Sequence, residues 1–239
     1  MNKFQFVYST GLLPIYRHLF KIRYELLLCA LLCVFVLNIF FPDNIYGCIS
    51  QLAYLPFQIF SCVIVFRSKK KLLLLFSVFA LLLLIFKISN IFFVRNIENE
   101  MAFLYICLYG SVFVEVVRQI YAGKLGPVRS ILAGICGLLL IGYCGFYIFL
   151  AVEYYQPGSF NNLGAGTQAV NDLFYFSYIT IMTVGYGAIT PATWIAKNAT
   201  VLVALVAYIY SWVVIATIVG EAMSVRQTKG VQDDSDGNN

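Results

Sequence analysis

The chain has 239 residues, of which 61% are hydrophobic and 11% are charged, and its mean hydropathy is +0.84. This composition excludes an ordinary water-facing globular domain and predicts a membrane protein surrounded by lipid. The net charge of +5 does not predict nucleic-acid binding, because the basic residues form short clusters between apolar runs, as topology signals do.

Catalytic and metal-binding patterns are missing from the sequence. The seven cysteines have no metal-ligand or disulfide spacing and are interpreted as small hydrophobic residues. The single histidine, His18, lies in a stretch of mixed aromatic and basic residues, and the apolar runs contain no carboxylate pair. We therefore predict no cofactor and no enzymatic activity.

Residues 1–23 are predicted to be a cytoplasmic N-terminal segment. They lack the apolar core and small-residue cleavage site of a removable signal peptide. Their aromatic and basic part "PIYRHLFKIRYE" either lies along the membrane surface or is a plain lead-in to the first helix.

Six apolar runs approach the length of about 20 residues that a helix needs to cross a bilayer. They are Leu26–Phe41, Ile49–Phe66, Leu72–Ile88, Met101–Val117, Ile131–Val152 and Thr200–Val219. Thirteen of the sixteen Lys and Arg residues precede the first run or follow the second, fourth and sixth. Because basic residues collect in cytoplasmic loops, both termini are predicted to be cytoplasmic.

This pattern divides the chain into regions. Residues 24–122 are predicted to form a four-helix transmembrane domain, and residues 128–225 a second domain built on the fifth and sixth spans. Residues 226–239 are polar and acidic with no apolar pattern, and we predict that they form a disordered cytoplasmic tail. No regulatory ligand can be inferred from them.

The connection between the fifth and sixth spans contains an apolar run that is too short to cross the membrane. After the turn-rich "YYQPGSFNNLGAGTQ" comes the aromatic run Leu173–Met182, followed by "TVGYG" at 183–187. An apolar segment that starts and ends on one side is a candidate re-entrant helix. Irregular backbone at membrane depth persists only where it is buried in protein or lines water.

The pentapeptide can replace the water shell of a cation with backbone carbonyls. Gly185 and Gly187 permit φ values that are unfavourable for other residues, so that successive carbonyls can face one way. Val184 and Tyr186 then turn outward, and the Thr183 hydroxyl can add an oxygen at the inner end. One strand gives a line of oxygens, and several copies around an axis are needed to close a cage.

In this setting "TVGYG" resembles the selectivity filter of potassium channels, and the resemblance covers about Ile131 to Met223. It implies an all-α membrane protein with six transmembrane helices, a re-entrant pore helix, a filter loop and a tetrameric pore. It also implies a homotetramer that passes K⁺ selectively and passively. The transported K⁺ would be coordinated by Thr183, Val184, Gly185 and Tyr186.

The resemblance assigns supporting roles to further residues. Tyr175 and Phe176 occupy aromatic positions of the pore helix, and Thr180 a common polar position there. Glu153 resembles an acid that braces the outer mouth, although a solvated loop charge is equally compatible with its position. Candidates for the cavity and gate share one face of the sixth span, where some of them could instead pack against protein or lipid; they are Tyr208, Ser211, Ile215, Val219 and Met223.

The sequence also departs from the family pattern. Ala188 stands where an aspartate usually follows the filter, and Ile179 stands where some members have its acidic partner. Since replacing both partners of a buried polar pair can be neutral, we predict a filter braced mainly by packing, with altered inactivation. Ala207 replaces the usual glycine hinge of the inner helix.

The first four spans resemble a voltage sensor in number only. The fourth offers Glu115 and Arg118 near its cytoplasmic end and lacks the arginine series that a sensor needs. Weak or absent intrinsic voltage gating is therefore predicted, in what we expect to be a prokaryotic inner (plasma) membrane. An alternative is a non-conducting or regulatory subunit that co-assembles with a related potassium channel.

Overall fold

The computed structural model describes residues 22–40, 102–123 and 125–236. These ranges contain five helices and one sheet of two short strands. In chain order the elements are α1 (Arg23–Phe40), α2 (Ala102–Tyr121), α3 (Pro127–Tyr155), β1 (Phe160–Asn161), α4 (Thr167–Ile181), β2 (Thr190–Pro191) and α5 (Trp194–Asp236). The predicted second and third spans and nearly all of the N-terminal segment lie outside the described residues.

The predicted helical character is confirmed. Within the described residues, three helices are long and apolar enough to cross a membrane, over Ala102–Tyr121, Val128–Tyr155 and Trp194–Gly220. They correspond to the fourth, fifth and sixth predicted spans, and α1 corresponds to the first. The count of six depends on residues outside the described ranges and stays a prediction.

Proline and glycine fix the ends of α3. The helix follows Gly126, whose φ of 76° is left-handed, and has a proline in its first turn at Pro127. Proline suits this position because its missing N–H would have no partner inside the helix. The helix ends at Tyr155, just before the Gln156–Pro157 pair that disfavours further helix.

Helix α5 is longer than the sequence indicated. It continues to Asp236, so residues 226–236 are helical where we predicted a disordered tail. Extending an existing helix adds one hydrogen bond for each residue fixed, which is far easier than starting a new one. Polar composition alone therefore did not predict where this helix ends.

Stacked tyrosines join α2 to α3. The rings of Tyr105 and Tyr147 have centroids 4.6 Å apart, and those of Tyr109 and Tyr143 are 4.9 Å apart. The Tyr143 hydroxyl donates a hydrogen bond to the Leu31 carbonyl of α1 at 3.2 Å. These contacts pack α1 and α2 against one side of α3.

A polar cluster joins α1 to α2 near the predicted cytoplasmic side. Tyr24 Oη donates to Gln119 Oε1 at 2.7 Å, and Gln119 Nε2 donates to Glu115 Oε1 at 2.9 Å. Arg118 lies 3.6 Å from the buried Glu115 carboxylate. The carboxylate is therefore both hydrogen-bonded and ion-paired, as a buried charge requires.

Glycines on α3 let α4 and α5 approach closely. A Cβ at Gly142 would lie 2.5 Å from the Tyr178 ring, and one at Gly134 would lie 2.7 Å from Val214. A Cβ at Gly137 would overlap the hydroxyl of Tyr210, which donates a hydrogen bond to the Gly134 carbonyl at 3.0 Å. Small residues at such positions are typical of helices packed in membranes.

Candidate ion filter and its supports

Helix α4 is the predicted re-entrant helix, and side-chain hydrogen bonds attach it to α3. Its 15 residues span about 22 Å, less than the hydrocarbon thickness. Ser177 Oγ donates to the Gly142 carbonyl at 2.7 Å, and Tyr178 Oη donates to the Leu139 carbonyl at 3.0 Å. Both donors are buried, so they fix the position from which the next segment leaves the helix.

The candidate filter segment, residues 183–187, has a backbone that alternates in handedness. The φ angles are 56° at Thr183, 57° at Gly185 and 78° at Gly187, whereas Val184 and Tyr186 have no positive φ. Such alternation lets successive carbonyls face the same side. Thr183 is not a glycine, so its left-handed conformation costs about 1–2 kcal/mol and marks local strain.

The end of α4 holds the start of this segment through its amides. Thr183 N donates to the Thr180 carbonyl at 3.0 Å, while the amides of Val184 and Gly185 share the Ile179 carbonyl at 2.9 and 3.3 Å. Within the described residues these bonds use the amides of the segment, and its own carbonyls remain available to a cation. The Thr183 hydroxyl donates to the Met182 carbonyl at 2.7 Å.

The outward side chains of the segment are exposed in a single chain. Val184 is 47% exposed and Tyr186 is 75% exposed, although we expected both to pack against their surroundings. Irregular backbone at membrane depth requires cover by protein or contact with water. One chain does not supply that cover within its described residues.

The pore-helix side chains predicted to have supporting roles differ in burial and in their contacts. Phe176 is buried, with its ring centroid 5.1 Å from that of Phe149 and 5.4 Å from that of Phe160. Tyr175 is 41% exposed, and the Thr180 hydroxyl donates to the Phe176 carbonyl within the helix. Of the two predicted aromatic supports, therefore, Phe176 packs in an aromatic cluster within the described part of one chain, and Tyr175 is partly exposed.

The predicted outer-mouth acid holds the loop that follows α3. Glu153 Oε1 accepts a hydrogen bond from the Gly158 amide at 2.7 Å, and Oε2 accepts one from the Phe160 amide at 3.2 Å. Of the two interpretations left open by the sequence, these bonds favour a carboxylate that braces the outer loop over one that is merely solvated.

A short sheet links the outer loop to the chain after the filter, so the described fold is not purely α-helical. Strand β1 pairs antiparallel with β2, with Phe160 opposite Pro191 and Asn161 opposite Thr190. Two-residue strands are too short to produce the alternating pattern by which strands are recognised in sequence. We missed this element for that reason.

Sequence reasoning also missed three polar residues of the outer loop and its partner segment. The Ser159 carbonyl accepts the Ala192 amide at 2.7 Å, and Thr193 Oγ1 accepts the Ala196 amide at the start of α5. Asn162 Nδ2 donates to the carbonyl of Ala188, which directly follows the filter segment, at 3.0 Å. The turn-rich composition of the loop was the one available signal, and it does not identify partners.

Three of the predicted cavity residues lie together at the inner end of the filter segment. Tyr208, Ser211 and Ile215 line one cavity with Met182 and Thr183. Val219 and Met223 are exposed further along α5, and Trp212 lines the same cavity although it was not predicted to do so. Ala207, at the expected hinge position, is fully buried.

Comparisons with known proteins identify a class for this part of the chain. Residues 135–224 match the family model described as "Ion channel". The match covers most of α3, all of α4 and the filter segment, and the whole apolar part of α5, Trp194–Gly220. With three long apolar helices, it indicates a membrane protein that contains an ion channel domain.

A more particular similarity is to one plant protein. Over 83 residues the chain is 30% identical to a protein of Oryza sativa subsp. japonica named "Two pore potassium channel c". The aligned segment is 34% of this chain and 18% of that protein. No solved structure matches the chain. Both matches point to a channel, with a potassium channel among the relatives, and not to an enzyme.

Proposed function

We propose that the chain is one subunit of a homotetrameric channel that passes K⁺ selectively and passively across a membrane. Four copies of residues 183–187 would surround the axis, and carbonyls of Thr183, Val184, Gly185 and Tyr186 would coordinate the ion. The observation that carries the proposal is the alternating handedness at Thr183, Gly185 and Gly187. K⁺ is the transported ion in this proposal, with no separate cofactor.

Exposed surfaces support the oligomer. Beyond Val184 and Tyr186, one face of α5 carries exposed large side chains, including Tyr208 at 54% and Trp212 at 62%. In the proposed tetramer, neighbouring copies and the water-filled cavity meet these surfaces. The distribution of Lys and Arg supports cytoplasmic termini, and a prokaryotic inner membrane stays a prediction.

Reconstituted protein tests selectivity directly. In liposomes of neutral and anionic lipid, a K⁺ gradient should drive flux through the purified chain, and replacing K⁺ by Na⁺ should reduce that flux at least about tenfold. Single-channel recording under bi-ionic conditions measures the permeability ratio. Equal K⁺ and Na⁺ flux would overturn the proposal, and absence of flux from an intact tetramer would favour the non-conducting subunit.

Voltage dependence should be weak, because the described part of the fourth predicted span carries little charge that can move. Helix α2 contains Glu115 and Arg118 as an ion pair on one helix, so displacing the helix moves nearly no net charge. Each elementary charge that crosses the field supplies about 2.3 kcal/mol per 100 mV. We expect the limiting slope of the conductance–voltage curve to give less than about one charge per subunit, and several charges per subunit would contradict the assignment.

A further inference from the structure

The carbonyl that follows the filter segment is held by a side chain of the outer loop. Asn162 Nδ2 donates to the Ala188 carbonyl at 3.0 Å, across 26 positions of sequence. The residues that would form an acidic pair behind the filter are Ala188 and Ile179, and neither has a polar side chain. A hydrogen bond from the loop that precedes α4 in the chain therefore holds the outer end of the filter segment.

The backbone that carries Asn162 is itself fixed. The two residues before it belong to β1, which pairs with β2. The Phe160 ring is buried against the rings of Phe149 and Phe176, and its amide donates to Glu153. Because the backbone of Asn162 is already ordered, its hydrogen bond costs less entropy to form than a bond from a freely moving side chain would. The bond therefore restrains the Ala188 carbonyl more strongly.

The conformation of Asn162 suits this contact. Its φ is 62°, a left-handed value that is uncommon outside glycine and is tolerated best by Asn and Asp. The neighbouring Asn161 makes a different contact, donating from Nδ2 to Thr190 Oγ1 at 3.2 Å. Only the second of the two adjacent asparagines bonds to the backbone next to the filter.

We propose that Asn162 is a positioning residue that sets the stability of the conducting filter, and therefore the rate of inactivation. This inference rests on the proposed function. When the hydrogen bond breaks, the Ala188 carbonyl is free to rotate, and Gly187 can leave the conformation that the conducting filter needs. This hydrogen bond takes the place of the acidic pair that the sequence lacks, so packing is not the only support of the filter.

The test compares substitutions at the two adjacent asparagines. Both Asn162→Asp and Asn162→Gly tolerate positive φ and remove the amide donor, and only the first adds a charge. The control is Asn161→Asp, which adds the same charge one residue away, where the Thr190 hydroxyl can donate to the new carboxylate. Both Asn162 variants should inactivate about tenfold faster than the wild type, as expected for losing one hydrogen bond, while N161D should stay within about twofold.

The dependence of the inactivation rate on external K⁺ distinguishes the loss of this hydrogen bond from a general loss of stability. Because a bound ion stabilises the conducting filter, raising external K⁺ should slow the fast inactivation of N162D and N162G. Wild-type inactivation in either Asn162 variant would overturn the inference, and so would equally fast inactivation in N161D.

Hydrogen–deuterium exchange separates this inference from the proposed function. In the purified protein, amides of residues 185–189 should exchange about tenfold faster in N162D and N162G than in the wild type or N161D. If the wild type carries no current but this difference appears, Asn162 restrains the backbone of residues 185–189 as argued, and it is the proposed function that fails. If currents are selective and the exchange rates are equal, the positioning role fails alone.

Discussion

Replacing Gly185 with alanine should abolish K⁺-selective flux while leaving the subunits folded and assembled. The φ of Gly185 is 57°, and a residue with a Cβ pays about 1–2 kcal/mol to remain in that region. A proposed tetramer contains this position four times, and relaxation of the backbone would turn the neighbouring carbonyls away from the ion path. We expect K⁺ flux into liposomes to fall at least about a hundredfold.

The matched control for this prediction is Gly123→Ala. Gly123 has a φ of 62°, and, as at Gly185, a Cβ there would meet nothing within 4 Å. The two substitutions therefore introduce similar strain, one in the filter segment and one in the turn between α2 and α3. Flux should survive in G123A. Retained flux in G185A, or equal loss in both variants, would show that the backbone of residues 183–187 is not the ion path.

Replacing Gly137 with alanine should strongly destabilise the folded chain. The new Cβ would overlap Tyr210 Oη and lie 2.5 Å from the ring carbon that carries it. The Tyr210 ring would have to move, and its hydrogen bond to the Gly134 carbonyl would break. Overpacking and a buried hydroxyl without a partner each cost about 1–3 kcal/mol, so we expect about 2–6 kcal/mol in total. Thermal unfolding in detergent micelles measures the loss.

Gly110→Ala is the control for Gly137→Ala. Gly110 is also inside an apolar helix, α2, and a Cβ there would meet nothing within 4 Å. Since alanine favours helix over glycine by about 1 kcal/mol, this variant should unfold at the same temperature as the wild type or higher. Equal unfolding temperatures for G137A and the wild type would contradict the close packing of α3 against α5.

Features encoded in short, continuous stretches of sequence could be predicted well. The apolar runs around α1, α2, α3 and α5 predicted helices because helix formation in a membrane depends on length and hydropathy alone. The filter segment stood out because two glycines interrupt an apolar region. Its role in binding K⁺ stays a prediction, although the backbone conformation and the comparisons both support a channel.

Features that depend on distant partners could not be predicted. The sheet of β1 and β2 and the bond from Asn162 to Ala188 join residues about thirty positions apart, and nothing local in the sequence pairs them. The role of Glu153 depended on which backbone amides the loop turns toward it. The helical end of α5 was missed because a polar segment can still extend a helix that apolar packing has already formed.

Helix α3 presents tyrosines to α1 and α2 and glycines to α4 and α5, and its Tyr143 contacts rings of both α2 and α4. In the apolar stretch of each helix, 56% of α3 is buried within the chain, whereas 22% of α5 is buried. A change of side-chain volume on α3 therefore affects its packing against α1 and α2 as well as its packing against α4 and α5. Natural variation in side-chain size should therefore be narrow along α3, and a displacement of α2 would reach α5 both through the body of α3 and through the direct contact between the Phe113 and Tyr210 rings.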